Sequence, residues 1–121
     1  DIQGVTVEWT TSGNSKTATI TAIGIEEDFR ICKLRDTYSP SVGQTIRKDY
    51  EVWLTTANTV VVKTQINNTW TIVGTLSNGE EYSNNSGLTV EDQMSSNQVI
   101  IEAVKTTVSG VSHTWTWIYQ A

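Results

Sequence analysis

The segment His113-Thr114-Trp115-Thr116-Trp117-Ile118-Tyr119 decides the fold class, because large rings alternate in it with threonine or isoleucine. Successive side chains on a strand point to opposite faces, so the four rings are expected to share one face of a sheet. An aromatic face opposite a largely hydroxyl face is typical of a sheet that packs on one side. We expect the rings to fill a core, with a ligand platform as the alternative, and we expect His113 to reach solvent beside the preceding turn.

The composition of the whole chain also favours strands. It contains 20 Thr, 13 Val and 11 Ile but only 4 Leu and 5 Ala. β-Branched side chains lose rotamer freedom in helices and pack well on pleated sheets. An all-β fold is therefore predicted, and 121 residues suit a single domain over 1–121.

Alternation and turn residues divide the chain into about eight strands. Strands are predicted at 3–11, 17–25, 46–56, 59–66, 69–76, 99–108 and 111–119. Segment 29–36 reads as either a strand or a short helical turn, and 80–98 as an extended loop or a short edge strand. Turns are predicted at Ser12-Gly13-Asn14-Ser15, Asn67-Asn68, Asn78-Gly79 and Ser109-Gly110, with Asn78-Gly79 the strongest hairpin signal. This spacing predicts an antiparallel β-sandwich or barrel joined mostly by hairpins.

The charge balance disfavours nucleic acid as a partner. The formal net charge is −5, and the eight Lys and Arg are spread along the chain, with Arg47-Lys48 the only adjacent pair. Nucleic acids and anionic lipids both require a clustered cationic surface, so we expect neither. No apolar stretch is long enough for a transmembrane segment.

Cysteine usage bears on the compartment. Cys32 is the only cysteine, so no intrachain disulfide can form, and we interpret it as a buried, inert thiol. The abundance of Thr, Ser and Asn suggests a secreted or cell-surface protein. The missing disulfide leaves a cytosolic location open.

Catalysis has little support in the sequence. The chain has one histidine and contains no zinc-protease, serine-hydrolase or phosphate-loop motif. We expect no enzyme activity, no metal and no cofactor. The acidic groups 26–28, 80–81 and 91–92 are expected to be solvated charges, because adjacent carboxylates on an extended chain point apart.

Trp53 is the best single candidate for a functional aromatic residue. In its strand, Tyr50, Val52 and Leu54 share the apolar face, so Trp53 is expected on the polar face with Glu51. An indole beside a carboxylate can stack on a sugar ring while the polar neighbour binds hydroxyl groups. A core or oligomer-interface tryptophan is the alternative.

Polar loops supply further candidates, since asparagine and acidic side chains near an aromatic ring can bind sugar hydroxyl groups. The same residues are also common in turns for backbone reasons alone. Asn67 and Asn84 begin N-glycosylation sequons as well. The complete set of predicted ligand-binding residues is Trp53, Glu51, Tyr50, Asn67, Asn68, Asn78, Glu80, Tyr82 and His113.

The predicted function is that of a small non-catalytic recognition protein, a carbohydrate-binding lectin whose ligand is a mono- or oligosaccharide. A single shallow site gains avidity when copies assemble, so a homo-oligomer is expected. One alternative is a structural, adhesive or filament-forming module that pairs through an open sheet edge. Another is a membrane-active, cytolytic β domain that places exposed aromatic residues at lipid headgroups.

Overall fold

The computed structural model describes residues 5–12, 15–22, 25–93, 98–104, 107–108 and 111–121. These residues form strands, turns and loops, with no helix among them. The strands are β1 (Val5–Ser12), β2 (Ser15–Ala22), β3 (Phe29–Tyr38), β4 (Ile46–Leu54), β5 (Val60–Ile66), β6 (Thr69–Leu76), β7 (Glu81–Ser83), β8 (Leu88–Glu91), β9 (Gln98–Val104), β10 (Thr107–Val108), β11 (Val111–Ser112) and β12 (Thr114–Gln120).

Two five-stranded antiparallel sheets make up most of the molecule. Sheet 1 has the strand order β1-β2-β9-β8-β7, and sheet 2 has the order β12-β3-β4-β5-β6. The short strands β10 and β11 pair with each other. The all-β prediction is confirmed, and the two sheets form a sandwich.

The core lies between the two sheets. Ala18, Ile20, Leu88 and Val90 enter it from sheet 1, and the larger set from sheet 2 is Phe29, Ile31, Cys32, Leu34, Tyr50, Val52, Leu54, Val60, Val62 and Leu76. Alternation alone predicted the inward face of β4, and Tyr50, Val52 and Leu54 are indeed 2%, 0% and 1% exposed. Burying such side chains stabilises the fold by roughly 1.5–3 kcal/mol each.

The aromatic residues of β12 join the two sheets. Trp117 packs edge-on against Trp9 of sheet 1, with ring centroids 4.8 Å apart. The indole Nε1–H of Trp9 donates a hydrogen bond of 2.9 Å to the carbonyl oxygen of Ala121. Trp115 lies 5.7 Å from Tyr50 and donates from Nε1 to the Ser86 carbonyl. The core interpretation therefore holds for Trp115 and Trp117.

The two most prominent turn signals have different outcomes. Asn67 and Asn68 have φ angles of 53° and 64° and join β5 to β6 in the two-residue hairpin that was predicted. Gly79 has φ 86°, but Asn78 has no positive φ, and Glu80 N–H donates to the Ser77 carbonyl. This is the pattern of a type II turn. The chain crosses there from sheet 2 to sheet 1, so the hairpin predicted at Asn78-Gly79 is wrong.

The two ambiguous segments both contain strands. Segment 29–36 belongs to β3, an interior strand of sheet 2, and segment 80–98 holds β7, β8 and the start of β9. The hairpin predicted around the first turn is confirmed, because β1 and β2 pair antiparallel up to Ser12 and Ser15. Gly13-Asn14 within that turn, and the predicted turn at Ser109-Gly110, lie outside the described residues.

Three register shifts change the direction of side chains in sheet 2. They lie in β3 between Arg30 and Cys32, in β6 opposite the step from Val62 to Lys63, and in β12 between Trp117 and Tyr119. A β-bulge adds one residue to a strand, and the residues beyond it then reverse faces. Sequence periodicity alone gives the wrong face for every residue on the far side of such a bulge.

Candidate functional site

Trp53 lies on the outer face of sheet 2, as its position relative to Tyr50 predicted. Its indole Nε1–H donates to Glu51 Oε1 at 3.1 Å. The second carboxylate oxygen of Glu51 accepts from Arg30 Nη1, also at 3.1 Å. Glu51 is only 9% exposed, so a nearly buried carboxylate fixes the orientation of a half-buried indole and a guanidinium.

Two of the bulges bring further aromatic residues to this outer face. Trp70 pairs with Gln65, and Ile72 pairs with Lys63, so both side chains share the face of Trp53. Tyr119 pairs with Lys33 and is 40% exposed. We call the outer face of sheet 2 around Trp53, Trp70 and Tyr119 the aromatic face.

Sequence periodicity missed two of these three residues. It placed Trp70 with the inward-facing Leu76, and it placed Tyr119 with the rings of His113, Trp115 and Trp117. The bulges reverse both assignments, so the expectation that all four rings of the C-terminal segment share one face is wrong.

A cation lies against each ring of the aromatic face. Lys63 Nζ is 4.6 Å from the centre of the Trp53 ring, and Lys33 Nζ is 5.4 Å from that of Trp70. The guanidinium carbon of Arg30 is 4.4 Å from the centre of the Tyr119 ring. Cation–π attraction at exposed sites contributes about 0.5–1 kcal/mol per pair. These contacts fix the orientation of the three rings.

The cations cluster in space although they are dispersed in sequence. Six of the eight Lys and Arg lie on β3, β4 and β5, together with three of the thirteen carboxylates. These strands carry a formal charge of +3 and the rest of the chain −8. Adjacent strands thus bring together basic residues that are far apart in the chain, while the expectation that nucleic acid and anionic lipid are not partners stays a prediction.

At one end of this face the cations surround an open depression of about 410 Å³. Arg35 lies in it and donates from Nε and Nη2 to the two carboxylate oxygens of Asp49, at 2.9 and 3.2 Å. These hydrogen bonds, with the charge of Asp49, raise the pKa of Arg35. The other lining residues are Arg47, Lys48, Gln65, Asn67 and Asn68. We call this the basic depression.

The predicted residues Asn78, Glu80 and Tyr82 lie at the opposite end of β6 from Asn67 and Asn68. A strand of eight residues spans about 26 Å, so the two groups form no single site. Glu80 Oε1 accepts from the Ser77 backbone N–H at 2.6 Å. Tyr82 is half-buried and packs against the core.

Asn84 has a structural role that also bears on its sequon. Its Oδ1 accepts from the backbone N–H groups of Ser86 and Leu88. Its Nδ2, the atom that would carry a glycan, donates to the buried Tyr50 hydroxyl at 2.9 Å. The side chain thus closes the β7–β8 turn from within.

Tyr50 and His113, which the sequence analysis included among the ligand-binding residues, are buried. Tyr50 is 2% exposed and faces the core, where burial raises the pKa of its phenol. His113 is 5% exposed, so the expectation that it reaches solvent is wrong. Its Nδ1 lies 2.9 Å from both carboxylate oxygens of the fully buried Asp36. Tyr38 covers the imidazole at a centroid distance of 4.2 Å.

In the His113–Asp36 pair a carboxylate orients an imidazole, as it does in sites where the imidazole acts as a general base. Within the described residues, however, His113 has no hydrogen-bonded serine, threonine or cysteine partner. Cys32 is fully buried, and burial raises the pKa of its thiol, which keeps it protonated. No group of three or more His, Cys, Asp or Glu side chains in the described ranges is arranged to hold a metal ion.

Asp92 departs from the expectation that residues 91–92 are solvated. It is 0% exposed, and neither carboxylate oxygen has a hydrogen-bond partner among the described residues. Burial, with a smaller effect of the Glu80 charge, raises the pKa of Asp92 to about 6. Asp92 continues the inward alternation of Leu88 and Val90 by one position beyond β8, which places a charge at the margin of the core.

No protein-family model, curated protein or solved structure matches this chain, so comparison with known proteins assigns it neither a family nor a function. Among the described residues there is also no helix long and apolar enough to cross a membrane. The function has to be argued from the aromatic face itself.

Proposed function

We propose that this protein is a non-catalytic lectin that binds an oligosaccharide on the aromatic face. The observation that carries the proposal is the placement of Trp53, Trp70 and Tyr119 on one outer sheet face, two of them through β-bulges. Bulges are over-represented next to functional sites, where they re-aim side chains. Aromatic residues that serve packing alone would gain more by facing the core.

The chemistry of the face suits sugars. Sugar rings present C–H groups that pack on an indole, and their hydroxyl groups exchange hydrogen bonds with nearby polar side chains. Glu51 already holds Trp53 and Arg30 in position, which lowers the entropy cost of binding. Tyr119 and Trp70 lie on the two outermost strands of sheet 2, whose backbones are about 19 Å apart across four strand spacings. The Trp70 ring leans inward across the face to 5.4 Å from Lys33 Nζ, the strand neighbour of Tyr119, so a short oligosaccharide can contact more than one ring.

The test is a glycan array followed by calorimetric titration of the best oligosaccharide. Trp53→Ala removes the central ring and is expected to weaken binding at least tenfold, whereas Trp53→Phe keeps stacking and is expected to cost less. Thr10→Ala, an exposed change on sheet 1, is the control. A folded protein that binds no glycan on the array would contradict the proposal, as would unchanged binding in Trp53→Ala.

A second candidate function, assembly through an open sheet edge, is favoured by strand β6. Among the described strands β6 is the last in sheet 2, with no partner on its outer side, and its Ile72 and Val73 are 55% and 36% exposed. An exposed apolar edge is a template for strand pairing between chains. Copies joined at this edge would form a homo-oligomer that presents more than one aromatic face.

Light scattering across a concentration series separates these possibilities. A discrete oligomer that Ile72→Lys converts to monomer supports assembly through β6, while open-ended polymers favour a filament-forming module. A wild-type protein that is monomeric at all concentrations contradicts edge pairing.

A further inference from the structure

We propose that the basic depression binds the carboxylate or sulfate group of an acidic oligosaccharide whose sugar rings lie on the aromatic face. The proposal rests on the glycan-binding function proposed above and adds the class of ligand.

Arg35 is an oriented donor. Asp49 binds two of its N–H groups in a bidentate pair, and a guanidinium has five such donors, so others remain for a ligand. The Asp49 carbonyl oxygen in turn accepts from the hydroxyl of the buried Thr64 at 2.8 Å. These contacts fix the strand and the ion pair beneath the depression.

The depression has more positive than negative charge. Arg47 and Lys48 are exposed, and neither forms an ion pair with a carboxylate among the described residues. Lys48 Nζ lies 5.8 Å from the centre of the Tyr50 ring. Because Tyr50 faces the core and Lys48 pairs across the strands with the buried Asp36, the Lys48 ammonium lies on the inner side of β4. Arg35 and Arg47 thus face the depression together with one carboxylate, that of Asp49, and an entering anion would neutralise the excess charge.

The depression is continuous with the aromatic face. Gln65 lines it and pairs across the strands with Trp70. The side chains of Asn67 and Asn68 lie at its rim on a tight turn and offer amide groups to sugar hydroxyls. An anionic group held by Arg35 and Arg47 would therefore place the adjoining sugar beside the Trp70 ring.

An acidic glycan fits this charge distribution better than a nucleic acid does. Arg30 and Arg35 are already paired with Glu51 and Asp49, and the chain outside β3, β4 and β5 carries a formal charge of −8. Nucleic-acid affinity grows with the number of phosphates that are neutralised, and it needs a long cationic track. A glycan that carries one anionic group beside uncharged sugar rings matches the basic depression, which is small and adjoins the aromatic face.

The experiment compares charged and uncharged forms of the same sugars by calorimetric titration. The probes are tetragalacturonate with its methyl-esterified form, and a sulfated chondroitin tetrasaccharide with its desulfated form. We expect the wild-type protein to bind the more acidic member of at least one pair about tenfold more tightly, with a preference that falls as salt is added. A preference in the galacturonate pair assigns the depression to a carboxylate, and a preference in the chondroitin pair assigns it to a sulfate.

Arg47→Ala is expected to reduce that preference to twofold or less while affinity for the uncharged sugar stays the same. Lys16→Ala removes the same charge from sheet 1 and is expected to leave the preference intact. Thermal melting checks that both variants are folded.

Equal binding of both members of each pair would overturn the proposal, as would an Arg47→Ala variant that binds both members more weakly by the same factor. Absence of binding to either acidic tetrasaccharide would overturn it too, and the glycan array decides separately whether the proposed function stands. Tighter binding of a ten-nucleotide single-stranded DNA, lost in Arg47→Ala, would assign the depression to nucleic acid instead.

Discussion

Replacing Asp92 with asparagine removes a negative charge from the margin of the core with almost no change in shape. Asp92 is fully buried, and neither carboxylate oxygen has a hydrogen-bond partner among the described residues. A buried charge without a partner destabilises the folded state. We therefore expect Asp92→Asn to be more stable than the wild-type protein at neutral pH, although most substitutions of buried residues are destabilising.

The size of the effect follows from the shifted pKa. Burial, then the charge of Glu80, raises the pKa of Asp92 from 3.8 to about 6. Each pKa unit corresponds to about 1.36 kcal/mol, so the ionised form costs the fold up to about 3 kcal/mol. The asparagine amide is itself a polar group without partners, which reduces the expected gain at pH 7 to about 1–2 kcal/mol.

The sign of the pH dependence is fixed by the same shift. Between pH 3.8 and about 6 the folded state binds a proton that the unfolded state has released. The contribution of Asp92 to the free energy of unfolding of the wild-type protein therefore falls as the pH rises through that range. Above that range the destabilisation by the buried charge is fully present. The stability advantage of Asp92→Asn should be largest above pH 6 and should nearly vanish below pH 4.

Urea denaturation of both proteins between pH 4 and pH 8 measures this difference, and subtraction removes the effects of the other carboxylates. Glu27→Gln, at an exposed position of the loop before β3, is the matched control and should show no such window. A variant less stable than wild type at pH 7, or an advantage independent of pH, would refute the reasoning.

Three further changes test the packing of the sandwich. His113→Ala leaves the Asp36 carboxylate buried without its partner, so urea denaturation should show a loss of about 3–5 kcal/mol; a loss under 1 kcal/mol contradicts this. Gly74→Ala would place a Cβ 3.0 Å from the Tyr82 ring and should lower the melting temperature by several degrees, as overpacking costs about 1–3 kcal/mol; an unchanged melt would show that Tyr82 can move. Asn68→Gly relieves a positive φ of 64° and should stabilise the hairpin by about 0.5–1 kcal/mol in the same melt, and destabilisation would argue against the turn geometry.

The fold class was predictable because strand periodicity is local. Alternation in 46–56 and 59–66 located β4 and β5 to within two residues at each end, and it assigned Trp53 to the same face as Glu51. Composition alone was enough to predict an all-β protein.

The candidate site was less predictable because it depends on non-local pairing. Trp70 and Tyr119 reach the aromatic face through bulges whose register is set by the neighbouring strands, and no residue in either strand marks the extra position. The basic surface likewise appears only when β3, β4 and β5 lie side by side. Turn chemistry was also ambiguous, since Asn78-Gly79 fits both a hairpin and the type II turn that crosses between the sheets.

The five tryptophans offer the most direct test of the central idea that the outer face of sheet 2 binds glycan. Each indole N–H gives its own NMR signal, and those of Trp9 and Trp115 are hydrogen-bonded to backbone carbonyls in the interior. Titration with the best oligosaccharide should shift the Trp53 and Trp70 signals and leave those of Trp9, Trp115 and Trp117 nearly unchanged. Saturable shifts confined to the interior tryptophans or to sheet 1, with Trp53 and Trp70 unmoved, would contradict it.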